Sequence, residues 1–380
     1  METVLTINAG SSSIKFALYA IADPPALQLS GKVERIGLSG SALSFHQHAQ
    51  GEKGRLASEG LTQLTAAAFL LDWLATRTEV AALRAIGHRV VHGMQQTEPV
   101  LITPDLLEEL HRISAYDPEH LPQEIGLAEA CAARYPDLPQ LACFDTSFHR
   151  TMPLVAKLLA IPRRFGIERY GFHGLSYSFL MEELARLAGA QTANGRVILA
   201  HLGNGASLAA VHKGKCIDTS MGFTPAAGLP MGTRSGDLDP GVAAYLMHSG
   251  KLTTDQFNQL IHHESGLLGI SEISSDMRDL LESQDPRATE AVDFFCYQTR
   301  KWIGAYAAAL GGLDTLVFSG GIGENASEVR ARICEGLQFL GIELDEHGKS
   351  TGRVTVRVIP TDEERMIAME VCRLLQAKLP

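Results

Sequence analysis

The residues of this chain that could do chemistry sit where apolar runs end. Asn8 closes Val4-Leu5-Thr6-Ile7, and the turn Ala9-Gly10-Ser11-Ser12-Ser13 leads into Ile14-Lys15-Phe16-Ala17-Leu18-Tyr19. A tight polar turn leaves backbone N–H groups without strand partners, and with the serine hydroxyls and Lys15 they suit phosphate oxygens. Arg89 and Asp145 stand at the ends of two more apolar runs, and His201 ends Val197-Ile198-Leu199-Ala200. His173 lies between glycines in Tyr170-Gly171-Phe172-His173-Gly174, and Arg234 lies in Met231-Gly232-Thr233-Arg234-Ser235-Gly236-Asp237. Singly, each has a plain structural use: Arg89 pairs with a carboxylate, Asp145 caps a turn, His173 makes a core hydrogen bond. Together they form a set of cations, an imidazole and a carboxylate at strand ends, where α/β folds place working residues. Guanidinium groups match carboxylate and phosphate oxygens two at a time, so the chemistry indicated is the handling of a small anion.

The elements that position these residues alternate between strands and helices, which indicates an α/β protein with mixed sheets. The opening strand–turn–strand returns at 197–211, around Gly203-Asn204-Gly205. A third glycine turn, Ser319-Gly320-Gly321-Ile322-Gly323-Glu324-Asn325, follows the apolar run 315–318. Two halves that begin alike imply a duplicated fold with a cleft between the halves. The spacing predicts helices over 61–78, 104–114, 121–134, 177–187, 242–247, 254–261, 288–311, 326–337 and 363–379, with Thr103 capping the second and 288–311 long and buried. Strands are expected over 83–93, 140–145 and 354–359, with 27–47 continuing the first sheet. The polar stretch 50–60 reads as a loop, and 218–241 as a long glycine- and proline-rich loop whose prolines argue for order. A composition change at 146–153 marks a domain crossing.

At 380 residues the chain exceeds the size at which one core stops growing, so two domains are expected. A net charge of -10 excludes broad nucleic-acid binding but not a small anionic substrate held by local arginines. None of the six cysteines forms a C-x-x-C pair, which indicates reduced, buried thiols and a cytoplasmic protein. No signal peptide or membrane span is apparent, so neither membrane nor nucleic acid is an expected partner. G-x-x-x-x-G-K-[ST], the protein-kinase set and G-x-S-x-G are all missing, which removes the P-loop, protein-kinase and hydrolase readings. What remains is a nucleotide held between two domains, each offering a glycine hairpin to the phosphates.

The strings named above resemble the acetate kinases (the acetokinase family), within the superfamily of acetate and sugar kinases and actin. Further matching strings are Gly87-His88-Arg89-Val90-Val91-His92-Gly93, Phe144-Asp145-Thr146-Ser147-Phe148-His149, Arg169-Tyr170-Gly171-Phe172-His173-Gly174 and Asp218-Thr219-Ser220-Met221-Gly222. The resemblance spans essentially the whole chain. It implies a two-domain, duplicated, actin-like (ribonuclease H-like) ATPase fold with its active site in the interdomain cleft. The expected domains are 1–147 plus 364–380 for metal, substrate and phosphate, and 148–363 for nucleotide and dimerisation. The implied reaction is reversible phosphoryl transfer from ATP to acetate, giving acetyl phosphate and ADP, in a cytoplasmic homodimer. Mg²⁺ is implied, with Mn²⁺ as a substitute, positioned by Asn8 and Glu363. Carried over by motif, Lys15 contacts nucleotide phosphate, Arg89 binds the substrate carboxylate, and Val91, Phe172 and Pro225 wall its methyl group. Asp145, His173 and Arg234 are the implied catalytic groups. His201, Leu202, Gly203, Asn204 and Gly205, with Asp276, Met277 and Arg278 and with Gly321, Ile322, Gly323, Glu324 and Asn325, surround the nucleotide.

Two departures stand out. The family usually has two glycines after Arg-Val-Val-His, whereas Met94 follows Gly93 here. The family's proline–leucine–histidine–asparagine–proline run near the acyl pocket is matched to Ser114-Ala115-Tyr116-Asp117-Pro118, with Ala115 replacing a wall leucine. One methylene in such a pocket is worth about 1–3 kcal/mol, so activity on propionate is expected. A propionate or butyrate kinase is therefore the first rival reading. A nucleotide-gated binding protein of the same superfamily is the second, although a scaffold has no need of a carboxylate-binding arginine.

Overall fold

The computed structural model describes residues 1–378 other than Ser11 and Gln95, and not the side chains of Ala115, Ala377 and Lys378. The chain divides into two compact units, 1–147 with 362–380, and 148–361. The chain re-enters the first unit at Asp362, two residues before the boundary expected from sequence, so Glu363 belongs with Asn8.

The first unit is built on an eight-stranded sheet of β1 (Thr3–Ala9), β2 (Ser13–Ala20), β3 (Ala26–Glu34), β4 (Ala42–Gln47), β5 (Glu52–Ala57), β6 (Leu83–Val90), β7 (Val100–Leu101) and β8 (Gln140–Phe144). Its strand order is β5-β4-β3-β2-β1-β6-β8-β7. β1 and β2 are antiparallel, with Asn8 opposite Lys15, while β6 runs parallel to β1 and β8 parallel to β6. β1 is buried along its length and reads as a near-continuous apolar run, as a central strand covered on both faces should. Helix Gln63–Ala75 packs Leu70, Leu71, Trp73 and Leu74 into this core beside Phe16 and Phe45. The final helix, Glu363–Lys378, lies so close to β6 that a Cβ on Gly87 would sit 2.5 Å from Ile367 Cγ2. The stretch expected as a loop over 50–60 contains β5, an exposed edge strand whose charged residues carry no apolar alternation.

The second unit carries a five-stranded sheet of β9 (Arg196–Leu202), β10 (Ala206–His212), β11 (Lys215–Thr219), β12 (Thr315–Ser319) and β13 (Thr355–Val358), in the order β11-β10-β9-β12-β13. β9 and β10 are antiparallel, β12 runs parallel to β9, and β13 parallel to β12. This repeats the pattern of β3-β2-β1-β6-β8, so the duplication read from the two hairpins is present in strand order and direction. Helix Pro286–Ala309 is long, but Phe294 and Tyr297 on it are exposed, so it is buried on one face only. The third glycine run is not a turn. Gly320, at φ +76°, opens the short helix Gly320–Asn325 directly after β12. The loop between β11 and helix Pro240–His248 is ordered by backbone hydrogen bonds: within it Met231 N donates to Arg234 O and Asp237 N to Gly228 O, and from helix Gly266–Ser271 Leu267 N donates to Met231 O. All six cysteines are free and buried. Among the described residues, no helix is long and apolar enough to cross a membrane.

Candidate active site

In the first unit, parallel neighbours β6 and β8 bring their C-terminal ends side by side, and with them Arg89 and Asp145. Arg89 Nε and Nη2 both donate to Asp145 Oδ2, at 3.0 and 2.5 Å. A second carboxylate completes the group. Glu124, on the buried face of helix Leu121–Arg134, places Oε1 at 3.5 Å from Arg89 Nη1, and its Oε2 accepts from Val91 N at 2.8 Å. The side chains are 14% exposed for Arg89, 1% for Glu124 and 0% for Asp145. Burial works against the guanidinium charge, but Asp145 and Glu124 outweigh it and hold Arg89 protonated. Burial pushes the Glu124 carboxyl up to about 8, against the opposing pull of Arg89. The result is a fixed cationic arm at a strand end, suited to gripping an anion.

At the end of β1, Asn8 Nδ2 donates to Glu363 Oε2 at 3.1 Å and to Glu364 Oε1 at 3.2 Å. Both glutamates lie in the first turn of the final helix, where a carboxylate is favoured by the helix dipole. Burial raises the Glu364 carboxyl, and Lys15 Nζ lies 4.0 Å from its Oε1. Among the described residues no cluster of three or more His, Cys, Asp or Glu is arranged as a metal cage. An amide and two carboxylates do offer the hard oxygens that Mg²⁺ takes, and Mg²⁺ keeps most of its waters, so this sparse set fits it.

In the second unit, His173 precedes helix Gly174–Ala188 at φ +59°, a left-handed conformation uncommon outside glycine and concentrated at working sites. Its Nδ1 lies 2.9 Å from Ser207 Oγ, which also meets the buried Tyr177 hydroxyl. Its ring stacks on His201 at 4.3 Å between centroids, and His201 Nδ1 is held by Ser176 Oγ at 2.8 Å. Arg234 Nη1 donates to Pro225 O at 3.0 Å. Gly205 joins them: a Cβ there would stand 3.4 Å from His173 Nε2 and 3.8 Å from Arg234 Nη1. Thus His173, Arg234 and the turn from His201 to Gly205, separated in sequence, converge.

A pocket of about 630 Å³ opens in the same unit, lined by Gly203, Asn204, Asp276, Met277, Arg278, Gly321, Ile322 and Asn325 among others. A volume of this size holds a nucleotide-sized ligand. Two glycine-bearing segments and one helix start line it, and Gly232 braces one of them. Gly203 N donates to Gly205 O, Asn204 O accepts from Gly232 N, and Asp276 caps the short helix Met277–Glu282. Not every expected nucleotide residue faces it. Leu202 and Gly323 are buried, and Glu324 is turned inwards, its Oε1 accepting from Gly320 N and Thr361 N. His201 and Gly205 belong to the histidine–arginine group instead, and Lys15 lies in the first unit. The expected substrate wall is divided in the same way, with Val91 in the first unit and Phe172 and Pro225 in the second, all three buried.

Sequence reasoning missed Glu124, Glu364 and the pocket residues Ser275, Leu281 and Ala326. Glu124 had a signal: a lone acid among Leu121, Ile125 and Ala128 on an apolar helix face demands a buried partner. The Ala115 side chain, on which the wider acyl pocket rests, lies outside the described residues, and Ser11 of the opening turn does too. His120, just before helix Leu121–Arg134, places its Nδ1 2.9 Å from the buried Asp117 Oδ1. Met94 stands where the family usually has its second glycine. Met94 sits at φ +48°, the left-handed region where glycine is cheapest.

The acetokinase family matches residues 3–369. The chain is 44% identical to the acetate kinase of Rhodopseudomonas palustris, over 98% of both chains. It is 42% identical to that of Clostridium kluyveri, over 99% of this chain and 98% of the other. Among solved structures it is similar to Porphyromonas gingivalis acetate kinase, with a TM-score of 0.87 and 37% identity over 99% of this chain and 100% of that one. A propionate kinase from Francisella tularensis gives a TM-score of 0.90 and 36% identity over 97% of this chain and 99% of that one. With strand ends, pocket and full-length likeness in agreement, this chain belongs to the acetokinase family.

Proposed function

We propose that this chain transfers the γ-phosphoryl group of ATP to the carboxylate of acetate, reversibly, giving acetyl phosphate and ADP. The observation that carries the acceptor side is Arg89, a half-buried guanidinium locked by Asp145 and Glu124 at a strand end. Val91, Phe172 and Pro225 wall the methyl group of the acid. The pocket around Asn204, Asp276 and Ile322 takes the nucleotide, with Lys15 on its phosphates.

The transferring phosphoryl is metaphosphate-like, with charge spread over its equatorial oxygens. It needs donors and cations fixed in place more than it needs a protein nucleophile. Arg234 and His173 supply them, His173 through Nε2, since Nδ1 is engaged by Ser207. Acetate is already ionised at neutral pH, so no general base is required. Asp145 therefore orients Arg89 and shapes its field. Asn8, Glu363 and Glu364 would hold Mg²⁺, which when bound neutralises phosphate charge. The protein works as a homodimer in the cytoplasm.

The second reading is the same reaction on propionate, favoured by the likeness to the Francisella tularensis propionate kinase. An ATP-dependent hydroxamate assay with acetate, propionate and butyrate tests both. The expected result is acyl hydroxamate matched by ADP, with acetate preferred and propionate accepted. ATP hydrolysis without acyl hydroxamate from any of the three acids would overturn the reading.

A further inference from the structure

Three ionisable side chains lie together in the first unit, and they do not balance: one half-buried guanidinium faces two buried carboxylates. The excess is Glu124. Asp145 already takes Arg89 Nε and Nη2, so Glu124 is not needed to keep the arginine charged. Its two oxygens have different tasks. Oε2 holds Val91 N at 2.8 Å, and Oε1 stands at 3.5 Å from Nη1 of Arg89. Glu124 thus ties together the backbone of one expected substrate-wall residue and the side chain of the expected carboxylate-binding residue.

We propose that Glu124 is a positioning residue that both fixes this arm and, by its own charge, sets how strongly Arg89 attracts an anionic substrate. The inference rests on the carboxylate-kinase reading of the site. With Glu124 neutral, Asp145 alone of the pair offsets Arg89, and an incoming carboxylate meets a guanidinium that is 14% exposed. With Glu124 ionised, the group carries a net negative charge at low dielectric, and a further anion is repelled.

The groups facing this carboxyl are Arg89 from β6, Asp145 from the end of β8, and Asp117 from the turn after Ser114–Tyr116. Glu363 acts on Arg89 from the final helix. Asp117 is paired with His120, and His92, which faces Asp117, is held neutral by burial at about 4. Two of the three groups facing Glu124 are acids, which adds to burial in favouring its neutral form. Burial, set against the pull of Arg89 and of the Val91 N–H, places the ionisation at about 8, inside the range an assay can scan. Acetate is fully ionised throughout that range and so contributes no titration of its own.

The test measures KM for acetate and for ATP between pH 6.5 and 9.5 in the parent, Glu124→Gln and Glu124→Ala. In the parent, acetate KM should rise on the order of tenfold between pH 7 and 9, the limit for one group over one pH unit above its pKa. Glu124→Gln keeps an oxygen for Val91 N and removes the charge, so its acetate KM should stay flat across the scan. Glu124→Ala loses the anchor as well, and its acetate KM should be raised at every pH. ATP KM should not follow Glu124 in any variant. A Glu124→Gln enzyme that keeps the parent's alkaline rise would overturn the inference, as would equal shifts in both KM values. If the parent forms no acyl phosphate at any pH, the functional reading itself fails. An active parent with an unaltered Glu124→Gln profile removes only the inference.

Discussion

The two sheets share one plan and spend it on different chemistry. In both, an antiparallel hairpin is followed by two parallel strands, so β1, β6 and β8 of the first unit correspond to β9, β12 and β13 of the second. Corresponding strand ends carry different side chains. In the first unit they deliver Asn8, which donates to two carboxylates, and Arg89 and Asp145, which pair with each other. In the second they deliver His201 and Gly320, and the site is fixed by hydroxyl–imidazole contacts and close glycine turns. Duplication preserves the backbone because strand order and direction are set by apolar burial. Strand-end residues contribute little to that burial, so they are free to diverge, towards ion pairs in one half and imidazole–hydroxyl contacts in the other.

The contrast can be broken first at Arg234. Arg234→Ala should lower kcat by about 10²–10³-fold, the cost of losing one fixed donor to a developing charge, while acetate KM changes little. A larger effect on acetate KM than on kcat would move Arg234 to the acceptor side. Gly205→Ala comes next. Its methyl would stand 3.4 Å from His173 Nε2, in the space a phosphoryl oxygen needs, and kcat should drop about tenfold or more. Unchanged turnover would remove His173 from the transfer line.

A third test concerns how each unit tolerates acid. His149 in the second unit is buried with Nε2 at Phe172 O, and burial holds it down at about 4. Above its usual range neither folded nor unfolded chain binds the proton, and below that range only the unfolded chain does, until about pH 4. Stability should therefore be lost as pH falls from 6.5 to 4, by about 3 kcal/mol from this group. In the first unit His88 and His92, both also near 4, act in the same sense. Glu124 opposes them, because its raised pKa makes acid stabilising. Urea unfolding in a Trp73→Phe background, where Trp302 reports the second unit, should show a shallower acid slope in His149→Gln than with His149 present. Equal slopes would show that His149 is not the group responsible.

The smallest effect is expected at Met94. Its φ of +48° costs an ordinary side chain about 1–2 kcal/mol, part of which glycine gives back in unfolded-state entropy. Met94→Gly should stabilise the protein by about 0.5–1 kcal/mol in the same unfolding measurement. A destabilised variant would mean that the Met94 side chain packs more usefully than its backbone suggests.

Much of this organisation is legible in the sequence because it follows from apolar runs and punctuation. Both hairpins, the buried strands and helix Leu121–Arg134 come from periodicity alone. What escapes has physical causes. β5 is an exposed edge strand, and only its pairing with β4 makes it a strand. Helices Gly266–Ser271 and Met277–Glu282 are six residues each, too short to show a period. A glycine at positive φ serves a turn and a helix start equally, so Gly320 reads as either. Glu124 is 35 residues from Arg89, and no local pattern reveals which buried partner a lone acid has. Most of the pocket and the histidine–arginine group were reachable only because the family resemblance supplied them together.

The central claim is that the acceptor carboxylate is held in the first unit, at Arg89, separately from the nucleotide. Its most direct test is Arg89→Ala, assayed for acyl hydroxamate from acetate and, in parallel, for ATP binding by calorimetry. Hydroxamate formation should drop by about a thousandfold, with ATP affinity within a few-fold of the parent. A variant that forms acetyl phosphate at the parent's rate, or that loses ATP binding along with it, would contradict the account.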